Sequence, residues 1–203
     1  METSKTLAVD TLARVLMPKK GEPHDVRMLY LIEQEHNKQR LRWSDRTSFE
    51  IPAGNEVSFE TYFNAFPASY WRRWSQLDSV VLAMEVEGRA TISVYRSKHD
   101  GTRISVTNVE ASGYTEIPLK LGNFEDGGWL WFDITAEDDT RIVDAAWCSP
   151  QEPKEQVLDD GTVVEPQPKQ VAVGIPTFNR PRDAVNALHA LAEDPYVEAS
   201  ISN

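Results

Sequence analysis

A succession of short β-prone runs, most of them closed by a turn signal, constrains this chain more than any other feature. Between residues 6 and 149 the runs are Thr6–Met17, Val26–Ile32, Thr47–Ile51, Val57–Phe63, Ser79–Val86, Ala90–Arg96, Ile104–Val109, Thr115–Leu121, Trp129–Ile134 and Thr140–Trp147. They are mostly rich in β-branched or aromatic residues, which suit a pleated, half-buried surface. Several alternate cleanly. In Ala90–Arg96, Ile92 and Val94 fall on one face; in Trp129–Asp133 the two tryptophans take one face and Leu130 and Phe132 the other. Pro52-Ala53-Gly54-Asn55, Glu87-Gly88, His99-Asp100-Gly101, Ser112-Gly113 and Asp126-Gly127-Gly128 read as hairpins or loops. Such a pattern predicts a mainly β fold, a jelly-roll-like β-sandwich over residues 1–150.

The pattern changes after that. Residues 151–170 carry Pro153, Pro166 and Pro168 among Glu152, Glu155, Asp159, Asp160 and Glu165, which reads as an acidic, solvated linker. Within it, Asp159-Asp160-Gly161 is suited to a tight turn between Val157-Leu158 and Val163-Val164. Residues 171–203 then hold an apolar run, Val171–Ile175, a polar turn, Pro176–Arg180, and an amphipathic stretch with Val185, Leu188 and Leu191 on one face. Pro181 suits the first turn of that helix, where a missing donor costs nothing. A buried parallel strand hands over to its helix in this way, and ligands sit at such strand ends. One strand and one helix cannot bury a core of their own, so the expectation is one complete domain followed by the opening βα unit of a truncated α/β domain.

Composition excludes several classes. The net charge of −11 argues against bulk binding of nucleic acid. No apolar run approaches the roughly 20 residues of a membrane span, and Met1–Thr6 has no signal-peptide character. Cys148 is the single cysteine, which rules out an internal disulfide and a cysteine-rich zinc site; the expected setting is reducing and cytoplasmic. Cys148 itself reads as a small buried apolar group.

Candidate chemistry concentrates in two places. Thr177-Phe178-Asn179-Arg180 lies where a strand end meets a helix N-terminus, a place that favours an anion, and Arg180 can pair with a phosphate. The alternative is an ordinary turn with a surface arginine. The aromatic stretch from Tyr62 and Phe63 through Phe66 to Tyr70, Trp71, Arg72, Arg73 and Trp74 combines rings that can stack on sugar faces with arginines that can bind hydroxyls or phosphates, so it is a candidate acceptor-binding surface. Burial in the core or at a domain interface is the more common fate of such a stretch, and the same holds for Trp129 and Trp131. His24, His36, His99 and His189 are scattered without metal-ligand spacing and read as surface residues. Glu137-Asp138-Asp139 falls in a turn and reads as a decoy for a metal site. Asp133 and Asp144 suit turn or cap contacts, and Glu33–Arg42 a solvated loop or edge.

Longer stretches carry a resemblance. Val173-Gly-Ile-Pro-Thr-Phe-Asn-Arg-Pro181 resembles the first strand and turn of inverting, nucleotide-sugar-dependent glycosyltransferases of the GT-A fold. Gly21–Arg27 with Leu29–Leu31, Glu56–Trp74, and Phe124–Thr135 are similar to the N-terminal region of the polymerising galactofuranosyltransferases of actinobacterial cell-wall galactan synthesis. The resemblance implies a β-sandwich before a GT-A domain that transfers galactofuranose from UDP-galactofuranose to a lipid-linked galactan acceptor. It implies that Phe178 and Arg180 belong to the UDP-binding wall, with Thr177 and Asn179 as weaker members; the Tyr70, Trp71, Arg72 and Trp74 surface is a candidate for acceptor binding on its side-chain chemistry alone. The family uses a divalent metal, Mn or Mg, held by an Asp-X-Asp motif, and a further aspartate as base. No Asp-X-Asp occurs here, so this chain is expected to hold no catalytic or metal residue and to be inactive alone. A homo-oligomer and a peripheral position at the inner face of the plasma membrane are compatible with the intact protein. The second reading is a stand-alone, non-catalytic carbohydrate-binding or assembly module, whose weakness is the Val171–Leu191 unit and its unpaired apolar strand.

Overall fold

The four runs flanking Glu87-Gly88 and Ser112-Gly113 form two long strands, not four short ones. In the computed structural model, which describes residues 10–43, 45–122, 124, 128–150, 156–157, 163–164 and 179–193, the elements in chain order are β1 (Asp10–Arg14), α1 (His24–Arg27), β2 (Ile32–Glu33), β3 (Arg42–Trp43), β4 (Phe49–Ile51), β5 (Glu56–Ser58), α2 (Ala68–Trp74), β6 (Ser79–Ser97), β7 (Arg103–Lys120), β8 (Leu130–Ala136), β9 (Thr140–Ser149), β10 (Gln156–Val157), β11 (Val163–Val164) and α3 (Pro181–Ala192). Two compact units result, Met1–Pro153 and Lys154–Asn203.

In the first unit a nine-stranded antiparallel sheet is organised around β6. One edge of β6 pairs with β7 along its length. The other edge changes partner: residues 81–87 pair with β9, and residues 90–96 pair with β8. Between the two halves the register slips, Val86 facing Gly113 but Ala90 facing Ala111. This is a bulge, and a bulge bends a strand and sharpens its twist. Gly88 sits at its centre with φ +99°, and a Cβ there would stand 2.8 Å from Asp138 Oδ1 and 2.9 Å from the Asp139 carbonyl oxygen. Only glycine fits that backbone and that approach. The signal at Glu87-Gly88 is therefore real but marks a bend inside a strand.

Two lobes diverge from the bend. β8 continues through β5 to β2, and β9 continues through β4 to β3, with β1 on the remainder of the β9 edge. They curl towards each other and enclose one core. Phe59 lies 4.7 Å from Phe132 of the first lobe and 5.5 Å from Phe49 of the second, measured between ring centroids. Leu130, Phe132 and Ile134 point into this core, as the alternation of Trp129–Asp133 predicts. The mainly β, jelly-roll-like expectation is met by this curled sheet. Cys148 is buried with Val81, Ala83 and Ala146, and burial pushes its thiol pKa up.

Three expectations need correction. Val26–Ile32 is not a strand: Pro23 caps a helical turn over His24–Arg27, Asp25 favours its N-terminal end, and only Ile32 joins β2. Val57–Phe63 leaves the sheet after Ser58 and turns. Asp133 and Asp144 are not turn or cap residues but lie within β8 and β9, ion-paired with Arg103 and Arg14 respectively. The Glu33–Arg42 run does lie at sheet edges, between β2 and β3, and all four histidines are exposed.

In the second unit, β10 and β11 pair antiparallel, Gln156 with Val164 and Val157 with Val163; the turn expected at Asp159-Asp160-Gly161 lies outside the described residues. The strand expected over Val171–Ile175 lies outside the described residues. The helix expected after Pro181 is α3, with Pro181 in its first turn. Val185 and Leu188 on its apolar face are 50% and 57% exposed.

Candidate functional site

The turn before α3 is described from Asn179 onward; Thr177 and Phe178 lie outside the described residues. Asn179 adopts φ 54°, a left-handed conformation that asparagine tolerates better than most side chains. Arg180 follows as the helix N-cap residue, exposed, with Nη1 4.0 Å from Asp183 Oδ2. Among the described residues its guanidinium makes this one loose surface pair.

The Tyr70–Trp74 cluster forms α2 and splits. Trp71 stacks on Phe66 at 5.8 Å with an interplanar angle of 14°, and Phe66 in turn packs on Trp147. Tyr70 and Trp74, four residues apart on one helix face, are 64% and 69% exposed, and Arg72 is exposed beside them. The Arg73 guanidinium lies 5.4 Å from the Trp74 ring centre. Trp71 is thus partly buried against the core while Tyr70 and Trp74 stay exposed, because a seven-residue helix on the surface packs a single stripe.

A second cluster lies on the outer face of β8 and β6, opposite the core. Tyr95 is in register with Trp131, their rings 6.0 Å apart. The Arg103 guanidinium lies over Tyr95 at 3.5 Å and near Trp131 at 5.7 Å. Its Nη2 donates to Asp133 Oδ2, and its Nη1 lies 3.7 Å from Glu60 Oε2. Trp131 is therefore buried, but by Tyr95 and Arg103 and not by the core. Beneath this cover the Trp131 indole N–H and Asp133 Oδ1 have no hydrogen-bond partner among the described residues. Partial burial raises the Glu60 carboxyl pKa; Arg103 opposes the rise and Asp133 adds to it.

A groove of about 470 Å³ runs beside the cluster, with Glu60, Tyr62, Trp129 and Trp131 in its wall. Tyr62 is 75% exposed and Trp129 45%, so Trp129 departs from the expected core position. Both are fixed from behind. Asn64, buried, donates to the carbonyls of Leu16 and Tyr30 and accepts from the Leu16 N–H, and so holds the turn that carries Tyr62. The Trp129 N–H donates to Ser97 Oγ while its carbonyl accepts from the Ser97 N–H, both at 3.0 Å. α2 abuts the same place, with the Ser69 N–H donating to the Gly128 carbonyl at 3.2 Å. Two other cavities of about 490 and 480 Å³ have no exposed tyrosine or tryptophan in their walls.

The residues present do not fit a divalent metal. Among the described residues no group of three or more His, Cys, Asp or Glu side chains is placed to hold one. In the Glu137–Asp139 turn, Asp138 is engaged by Arg89 and Asp139 accepts from the Ala53 N–H.

The chain belongs to the family described as Galactofuranosyltransferase 2 N-terminal, which matches residues 12–150. It is 49% identical over 208 aligned residues to galactofuranosyltransferase GlfT2 of Mycolicibacterium smegmatis, covering 100% of this chain and 30% of that protein. It is 46% identical to galactofuranosyltransferase GlfT2 of Mycobacterium tuberculosis, covering 96% of this chain and again 30% of the relative. The chain therefore spans about 30% of the length of the curated relatives it matches. More distant likenesses of shape are to a family 29 carbohydrate-binding module (12% identity, TM-score 0.37, 68% of this chain and 89% of that one) and to TmCBM61 in complex with β-1,4-galactotriose (14% identity, TM-score 0.31, 59% and 87%).

Tyr62 belongs to the aromatic stretch singled out in the sequence, whereas Glu60, Arg103 and Asp133 carry no motif that a sequence reading could catch. The available signal was one acidic residue in an otherwise apolar strand, Leu130-Trp131-Phe132-Asp133-Ile134.

Proposed function

We propose that this chain is the N-terminal part of a galactofuranosyltransferase that transfers galactofuranose from UDP-galactofuranose to a lipid-linked galactan by an inverting displacement. The observation that carries the reading is an identity of 46–49% to two galactofuranosyltransferases that runs through both units of the chain. In this reading Arg180 and Phe178 form one edge of the UDP site, with Thr177 and Asn179 beside them, and Arg180 binds the donor through charge-assisted hydrogen bonds. Its loose tie to Asp183 leaves it free to do so. The base, and the metal expected of the family, belong to the part of the relatives that this chain does not span. Tyr70, Arg72 and Trp74 offer an exposed surface for the acceptor, supported by Trp71. Among the described residues no helix is long and apolar enough to cross a membrane, which fits a peripheral encounter with a lipid-linked acceptor.

Arg180→Ala in the full-length enzyme tests the assignment. UDP affinity measured by calorimetry is expected to fall at least about tenfold, the loss of one charge-assisted contact. Unchanged affinity removes Arg180 from the donor site.

A further inference from the structure

We propose that the groove beside Arg103 binds a neutral sugar chain, with Tyr62 and Trp129 presenting ring faces to it, Glu60 in its wall accepting from one hydroxyl, and Arg103, at its margin 3.7 Å from Glu60, holding a neighbouring one. The groove volume of about 470 Å³ falls within the roughly 300–1,000 Å³ of small-molecule sites. Exposed rings at its wall supply the apolar surface that the C–H face of a sugar ring covers.

The polar pair selects the ligand class. Glu60 as a carboxylate only accepts and Arg103 only donates. At 3.7 Å they stand beyond good hydrogen-bond distance, so both keep capacity for a third group. A hydroxyl donates and accepts at once, and two hydroxyls on adjacent carbons meet both side chains. An anion is disfavoured there: Arg103 already faces two carboxylates, Glu60 and Asp133, and the whole chain carries −11. With Lys98 in the groove wall the charges of Glu60, Asp133, Arg103 and Lys98 cancel, so the site offers an anion no net attraction.

The site is also preformed. Asp133 and Tyr95 hold the guanidinium, Asn64 holds the Tyr62 turn and Ser97 holds Trp129. A ligand therefore meets groups whose ordering cost was met on folding. If the galactofuranosyltransferase reading is right, the occupant is the galactan acceptor at a distance from its reacting end; that identity rests on the reading above, whereas the groove does not.

The test is titration of the 203-residue chain, followed by calorimetry and saturation-transfer NMR, with a galactofuranosyl tetrasaccharide, with cellotetraose and with UDP. Expected is binding of an oligosaccharide that weakens at least about fivefold in Trp129→Ala and Tyr62→Ala, as loss of one ring contact implies. Trp129→Tyr should restore it, and Tyr114→Ala, an exposed ring elsewhere on β7, should leave it unchanged. Circular dichroism confirms that each variant is folded. Binding of cellotetraose alone supports the groove and counts against the galactan identity. Absence of binding to either oligosaccharide, tighter binding of UDP than of sugar, or full affinity in both ring variants overturns the proposal.

Discussion

Arg89 and Asp138 are joined twice: the Arg89 backbone N–H donates to Asp138 Oδ1 at 2.8 Å, and its Nε donates to Oδ2 at 3.1 Å. The pair ties the β8–β9 turn to the bulge of β6, so the point where β6 changes partner is pinned from both sides. The Arg89 N–H, and then its guanidinium, hold the Asp138 carboxyl below its ordinary pKa of 3.8.

The sign of the pH dependence follows from that depression. A carboxyl with a lower pKa in the folded chain contributes stability that is complete above 3.8 and is lost as pH falls through the folded value. Asp138→Asn is therefore expected to melt a few degrees below the wild type at neutral pH. The difference should close in acid below 3.8. Thermal unfolding followed by circular dichroism across pH checks it; a gap that persists undiminished in acid contradicts the role given to the charge.

Gly88→Ala and Gly101→Ala form a matched pair. Both glycines have positive φ, +99° and +82°, but a Cβ at Gly101 meets nothing within 4 Å while one at Gly88 meets Asp138 and the backbone of Asp139. Gly101→Ala should cost about 1 kcal/mol from backbone strain alone. Gly88→Ala should cost about 1–3 kcal/mol more, because the turn it strikes is held by Arg89. Urea unfolding midpoints decide it, and equal losses would show that the close approach relaxes freely.

Asp133→Asn removes the charge that Arg103 is bonded to while keeping the side-chain shape. A hydrogen bond to a charged group contributes about 1.5–3 kcal/mol, so a loss in that range is expected in chemical denaturation. Asp133→Asn combined with Arg103→Met should lose less than the sum of the two single changes, since they remove one shared contact. Strict additivity would mean that the pair does not hold the guanidinium in place.

The strand alternation was legible because it is local: Ile92 and Val94 on one face, Leu130 and Phe132 on another, each inferred from its neighbours two residues away. Glu87-Gly88 was legible as punctuation but not as a bulge, since a hairpin and a bend carry the same residues and differ only in what lies across the sheet. Val26–Ile32 misled because an apolar run too short to show a period is decided by its flanks, here Pro23 and Asp25. The groove was legible only through its rings, Tyr62 and Trp129, and not through its charged residues. Arg103 and Asp133 are 30 residues apart, and Glu60 reaches the same place from just beyond β5, the strand that pairs with β8. The turn proposed for the donor was read from the motif Val173–Pro181, and of it the structure describes Asn179, Arg180 and Pro181.

β6 and β7 meet across the short connection at residues 98–102, so this ribbon needs little loop closure and can assemble early as the chain emerges. β8 and then β9 add to an edge already in place. β1 pairs along the other side of β9, its Asp10 carbonyl accepting from Ser149 Oγ across 139 residues. Without β9, residues 81–87 of β6 keep an unpaired edge, and such an edge recruits other chains. Pieces of this protein that stop within β9 should therefore aggregate, whereas pieces that extend past Ser149 should stay in solution.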